Sequence, residues 1–268
     1  RMRRGSRARL ARAVLVRGGS RALRIEGGGG GAAIEGCGRC LFNVGGRGSL
    51  VLSGLSLRHF APSGSLEAGA EGDGETGSAL FLMGHARATM RDVALSSERG
   101  LGIWMVQSSQ LQASACRISG CGRSGLALFG DASALVDGCT VEACAIHGCC
   151  ARGRTRLVLQ GCEVAGCGRR GVYGYQNNTL EMFECSVHGT QDASRAAVEA
   201  AGARQGDLVV ARIRRCRVFG NVGAAIRLRG AVEHALEGNS CSGSAHGEVH
   251  LLPGEENLEW PRESRDAG

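Results

Sequence analysis

Cys116-Arg117-Ile118-Ser119-Gly120-Cys121 returns as Cys139-Thr140-Val141-Glu142-Ala143-Cys144, and again as Cys162-Glu163-Val164-Ala165-Gly166-Cys167, at a strict interval of 23. The period extends outward from these copies. Val93 precedes them and Cys185 follows at the same interval; after eight extra residues Cys216 and Asn239 resume it. A second ladder runs two positions later through Leu95, Ile118, Val141, Val164, Val187, Val218 and Cys241. A fixed period of this length means one structural unit stacked on copies of itself.

With the cysteine ladder as position zero, positions −5 to −3 alternate in-out-in, as in Leu111-Gln112-Ala113 and Leu180-Glu181-Met182. Positions 0 to +2 alternate again, and position +9 is often glycine (Gly102, Gly125, Gly148, Gly171). Positions +10 to +12 make a third alternating triplet, as in Ile103-Trp104-Met105 and Val172-Tyr173-Gly174. Alternation over three residues is what a short strand needs to bury one face. Three strands per period with no helical stretch make a coil whose strands pair with the same strands one coil up, about 4.8 Å away. The reading is an all-β fold: a single-stranded, right-handed parallel β-helix, about 23 residues per coil, with three short strands per coil.

Gly161-Cys162-Glu163-Val164-Ala165-Gly166-Cys167-Gly168-Arg169-Arg170-Gly171-Val172-Tyr173 and Arg215-Cys216-Arg217-Val218-Phe219-Gly220-Asn221-Val222-Gly223-Ala224-Ala225-Ile226 resemble the consensus of the right-handed parallel β-helix repeat family. That pectate-lyase-like superfamily includes pectate lyases, alginate epimerases and the substrate-binding β-helices of F-box ubiquitin-ligase receptors. The resemblance covers about residues 34–252 and is specific for fold. It is weak for function, because this fold hosts many activities.

Leu55 and Leu57 match the ladder pair Val93 and Leu95 at an interval of 38, which is one period plus a 15-residue insertion. The expected organisation is a basic N-terminal tail or cap over 1–22, a parallel β-helix over 23–252, and a polar C-terminal cap or tail over 253–268. Insertions are expected near 60–78, 188–196 and 200–207. The chain does not begin with Met and reads as a fragment of a larger protein.

The formal net charge of +7 is unevenly spread. Residues 1–24 hold nine arginines and no acid, whereas the remainder holds 23 arginines against 25 acids. The body is therefore not a polyanion-binding surface as a whole, which disfavours nucleic acid as a partner. No stretch reaches the roughly 18–20 apolar residues of a membrane-spanning helix, so no membrane partner is expected. Thirteen cysteines, an odd number, fit a reducing, cytoplasmic compartment better than a secreted disulfide scaffold.

The Cys-x4-Cys pairs look like metal ligands, but the period places them at positions 0 and +5 of successive coils, where a thiol is a small, nearly apolar filler. Cys37 and Cys40 form a lone pair without a second half. No metal and no cofactor is expected; calcium enters only under a lyase reading. The seven histidines show no zinc-protease spacing, and His147, His188 and His250 read as turn or surface residues.

Alginate epimerases of this fold carry a Tyr-Gly-Phe-Asp-Pro-His-Asp-like stretch. Tyr173-Gly174-Tyr175-Gln176-Asn177-Asn178 keeps the aromatic frame but lacks the acid and the histidine. The seven aspartates form no adjacent pair of the kind a hydrolase cluster requires. The resemblance to pectate lyases implies, as a candidate lyase site, Asp137, Glu163 and Glu184 on neighbouring coils near Arg117 as base.

A second feature is an outward strip on the third strand. Position +11 runs Phe81, Trp104, Ala127, Cys150, Tyr173, Glu199, Arg227 and His250, and position +13 includes Val106, Phe129, Arg152, Tyr175 and Arg229. Five of the chain's ten aromatics fall here. The sequence therefore points to a non-catalytic binding or scaffold module whose contact residues are Phe81, Trp104, Phe129, Arg152, Tyr173, Tyr175, Arg227 and Arg229. The partner is a protein or a polysaccharide, and the F-box resemblance would make the role substrate recognition in ubiquitin transfer. The module would act as a monomer or within a larger chain or assembly. The alternative is a polysaccharide lyase or uronan C5-epimerase acting on an acidic polysaccharide.

Overall fold

The computed structural model describes residues 2–18, 22–28, 31–60, 77–202 and 206–252. Every strand in it pairs in parallel, and the third strands of successive coils form one ten-stranded sheet running from Val14–Arg17 to Val249–Leu252. The first and second strands of each coil form the other, 17-stranded sheet. The register follows the period: Gln110↔Ser133, Arg117↔Thr140 and Leu126↔Cys149 each pair at an offset of 23. The tube is thus a parallel β-solenoid.

Equivalent inward side chains sit above one another. Ile118, Val141, Val164, Val187 and Val218 form one wall and are fully buried. Leu111, Ala134 and Leu157 alternate large and small residues along another. Each such Leu, Ile or Val contributes about 1.5–3 kcal/mol by leaving water. The cysteine ladder lies in the bend between the first and second strands, and its geometry resembles that of an asparagine ladder. Asn239 accepts a hydrogen bond at Oδ1 from the Cys216 amide (2.9 Å) and donates Nδ2–H to the Ile213 carbonyl (2.7 Å). One ladder step at a time, Cys139 Sγ accepts from the Cys116 amide at 3.2 Å, while Cys162 and Cys185 donate to the Val136 and Leu159 carbonyls at 3.3 and 3.4 Å.

The bend is sharp because the residue before the ladder position is left-handed in coil after coil. Gly54, Asp92, Ala115, Gly138, Gly161, Glu184, Arg215 and Gly238 have φ between 49° and 61°. In two coils the first and second strands merge through this bend into Ser49–Phe60 and Arg87–Ser97.

Insertions enter at the other corners. Cys37 pairs with Phe60 at an offset of 23, whereas Phe42 pairs with Leu80 at 38, so the 15 extra residues lie between Phe60 and Ser78. Residues 61–76 of that expected insertion, and the expected cap or tail at 253–268, lie outside the described residues. The eight-residue insertion is divided. Tyr173↔Glu199 is offset by 26 and Thr179↔Val210 by 31, so three residues enter before the third strand and five after it.

The basic N-terminal segment supplies a coil of the stack. Arg7–Leu10 pairs with Ala33–Gly36, and Val14–Arg17 pairs with Phe42–Gly45.

Candidate functional site on the ten-stranded sheet

The third strand of the coil at 170–175 places Tyr173 and Tyr175 on the outer face of the tube. Gly174 between them points inward, where an added Cβ would stand 2.7 Å from the Asn178 side chain. The two rings stack at 4.7 Å between centroids and 14° between planes. Tyr173, Cys150 and Ala201, with Tyr175 packed against them, form a small apolar cluster outside the tube. The guanidinium of Arg170 lies 3.9 Å over the Tyr173 ring, and that of Arg152 lies 5.3 Å from the Tyr175 ring. Arg152 also donates Nε–H to Gln176 Oε1 at 3.1 Å. At the other end of the strip Phe81 and Trp104 pack at 4.8 Å.

One coil on from Tyr173 stands Glu199, fully buried although it points outward. Arg170 grips both of its oxygens, at 2.8 and 3.2 Å. Arg227 and Arg229 stand at 4.0 and 3.8 Å from the same carboxylate. His147 neighbours Arg170 in the register. Burial, and then the charges of Arg170, Arg169 and Arg195, push His147 from its ordinary 6.5 to about 3, so it is neutral at physiological pH.

The strip is therefore less open than its sequence suggests. Phe81, Trp104, Phe129, Arg152, Tyr175, Arg227 and Arg229 are half-buried, and Tyr173 is buried at 4 % exposure because Arg170, His147 and Tyr175 pack around it. His147 is buried too, against the reading of it as a surface residue. Arg170 and Glu199 were not singled out as site residues in the sequence. The available signal was the register: Arg170 starts the same strand as Tyr173, and Glu199 is the next outward residue up the column.

The four catalytic candidates Arg117, Asp137, Glu163 and Glu184 are not brought together. Arg117 and Glu163 occupy one column with Thr140 between them, and each has its own partner: Arg117 pairs with Glu142, and Glu163 with His188 at 3.1 Å. Asp137 stands exposed in a different column, and Glu184 sits in a left-handed corner paired with Arg215 at 3.5 Å. Among the described residues no group of three or more His, Cys, Asp or Glu is placed to hold a metal ion. Cys37 is exposed and Cys40 buried, with the Cys40 thiol pushed up to about 11 chiefly by burial. Burial alone pushes the Cys150 thiol up to about 12, against the lowering pull of nearby arginines.

Residues 73–204 match the family model of the right-handed β-helix region. With the coils and register above, this defines the fold: the chain is a right-handed parallel β-helix. Among solved structures it is similar to the A-module of the mannuronan C-5 epimerase AlgE4 of Azotobacter vinelandii, at 12% identity and a TM-score of 0.50 over 95% of this chain and 87% of that one. At that identity the likeness is one of fold. No curated protein sequence matches the chain.

Proposed function

We propose that this β-helix is a recognition module that docks an extended acidic polysaccharide along the outer face of its ten-stranded sheet. The observation that carries the reading is the run of half-buried rings and guanidiniums along the coils: Phe81 and Trp104, then Arg152 and Tyr175, then Arg227 and Arg229. Aromatic faces take sugar rings, and guanidiniums take carboxylates in a fork geometry. The three guanidiniums of Arg170, Arg227 and Arg229 around the single Glu199 carboxylate leave this part of the face positive, which favours an anionic chain over a neutral one. The fold neighbour is named for mannuronan, itself an acidic polysaccharide.

The test is calorimetric titration with polygalacturonate, polymannuronate and neutral dextran at two salt concentrations. Binding of either acidic polymer but not dextran, weakened by salt and reduced at least about tenfold in Trp104→Ala and Tyr175→Ala, is expected. Absence of binding to both acidic polymers sinks the reading, and capture of an acidic protein instead assigns the face to a protein partner.

A second reading, uronan lyase or C5-epimerase, is favoured by one specific feature. The Tyr173 hydroxyl and His147 Nδ1 are buried without hydrogen-bond partners, their rings 5.4 Å apart, beside the Arg170 guanidinium. A neutral imidazole next to a phenol can move a proton. Incubation with the same polymers would reveal it as unsaturated-sugar absorbance or epimerised residues, lost in His147→Gln.

A further inference from the structure

Around Glu199 there is one carboxylate for three guanidiniums. Arg170 satisfies both carboxylate oxygens, leaving Arg227 and Arg229 beyond hydrogen-bond distance. The group is well withdrawn from water: side-chain exposure is 1% for Glu199, 4% for Arg170, 15% for Arg227 and 21% for Arg229. Arg227 donates Nη1–H to the Ser194 carbonyl at 2.9 Å, but its Nε–H is buried with no partner. The other charges near the cluster do not close the balance. Asp192 is held low by its bonds from Ser194 and by Arg195 and Arg170, but Arg169 and Arg195 add two more positive charges. His250 follows Arg227 in the register, and His147 is neutral.

Uncompensated positive charge withdrawn from water is costly, and a bound anion removes the cost. Arg227 and Arg229 are same-face neighbours on one strand, about 6.6 Å apart along it, a span that one oxyanion bridges. We infer that Arg227 and Arg229, set beside the Arg170–Glu199 pair, form an oxyanion site that takes a single carboxylate. This deepens the docking reading, on which it rests for the source of the ligand: the carboxylate belongs to one uronic-acid residue of the chain. The buried Nε–H of Arg227 is the donor that remains for it.

The experiment uses the full chain and small anions. Thermal unfolding is followed in galacturonate, in inorganic phosphate and in chloride at constant ionic strength. Galacturonate should raise Tm saturably over chloride, as a ligand of the folded state does. Arg229→Gln should weaken that response about tenfold or more, while Arg212→Gln, an ion-paired arginine on the other sheet, should leave it unchanged. If Arg229→Gln does not fold, Arg229→Lys keeps the charge and loses the fork, and should show the same weakening. A response to phosphate alone overturns the carboxylate assignment. No saturable response to either anion, or an unchanged response in the Arg229 variants, overturns the site. The two proposals separate cleanly: polymer binding that depends on Trp104 but not on Arg229 leaves the docking reading standing without this site. A galacturonate response with no polymer binding does the reverse.

Discussion

A thiol can stand where an amide stands in this stack because the position asks for little: a small side chain that accepts from the amide of one neighbouring coil and donates to a nearby carbonyl. Asn239 meets both demands, and the cysteines below it meet them in weaker form through sulfur. The equivalence was legible in the sequence, since Cys216 and Asn239 fall on one interval. The burial of His147 was not legible. Its neighbours in space, Tyr173 and Arg170, are one coil away, and only the register brings them together. His147 has a folded value near 3, below the ordinary 6.5, so its neutral form adds stability above pH ~6.5. That contribution is lost as the pH falls toward 3, at about 1.4 kcal/mol per unit of difference. In His147→Gln the decline of unfolding free energy between pH ~6 and pH ~4, measured by urea titration, should be shallower than in the parent. An equally steep decline would assign the acid sensitivity elsewhere.

At the scale of the element, the strands were the easy part. Each needs only three alternating residues, and Leu111-Gln112-Ala113 or Val172-Tyr173-Gly174 displays them without ambiguity. The corners were harder. The sequence points to glycine at +9, where the third strand begins, whereas the left-handed residues lie before the ladder residue, at +4, as at Gly120, Ala143, Gly166 and Gly220, and at +14, as at Gln107, Gly130, Gly153, Gln176 and Gly230. Non-glycine occupants such as Ala115, Ala143 and Glu184 blur that signal. They also carry strain, because a Cβ disfavours the left-handed region. Ala115→Gly and Ala143→Gly should therefore each raise stability by about 0.5–1 kcal/mol, the steric relief exceeding the entropy added to the unfolded chain. Denaturant midpoints at unchanged slope would register the gain. A fall in midpoint would mean that the Ala115 and Ala143 methyls contribute packing that outweighs the strain. The same limit of local reading explains the site: Trp104, Tyr173, Arg227 and their neighbours were placed on one strip by counting, but the Arg170–Glu199 pair that buries its centre needed side-chain geometry.

For the molecule as a whole, each coil rests mainly on the two beside it, so stability is a sum of nearest-neighbour interfaces. Central coils have two such interfaces. In the coil of residues 231–252, strand Val232–Glu237 pairs with Val209–Arg214 on one side, and no described strand covers its other side. Its inward residues Leu236 and Cys241 are only partly buried, and Leu251 is 57% exposed. Native-state hydrogen exchange should therefore be fastest in the strands at the two ends of the stack, 7–17 and 232–252, and slowest in those of 133–187, with a graded change between. Uniform protection along the stack would show that the coils unfold as one cooperative block.

The register offsets of 38, 26 and 31 across the insertions have a further consequence. Across each insertion the next course of strands is laid in its old place. Material can thus accumulate sideways without disturbing what is built above it. Two insertions adjoin the tyrosine-bearing wall in sequence, one following His188 and the other following Ala201. The wall and its margins are separable: lengthening, shortening or exchanging a margin reshapes what can approach the tyrosines while the masonry that holds them stays as it was.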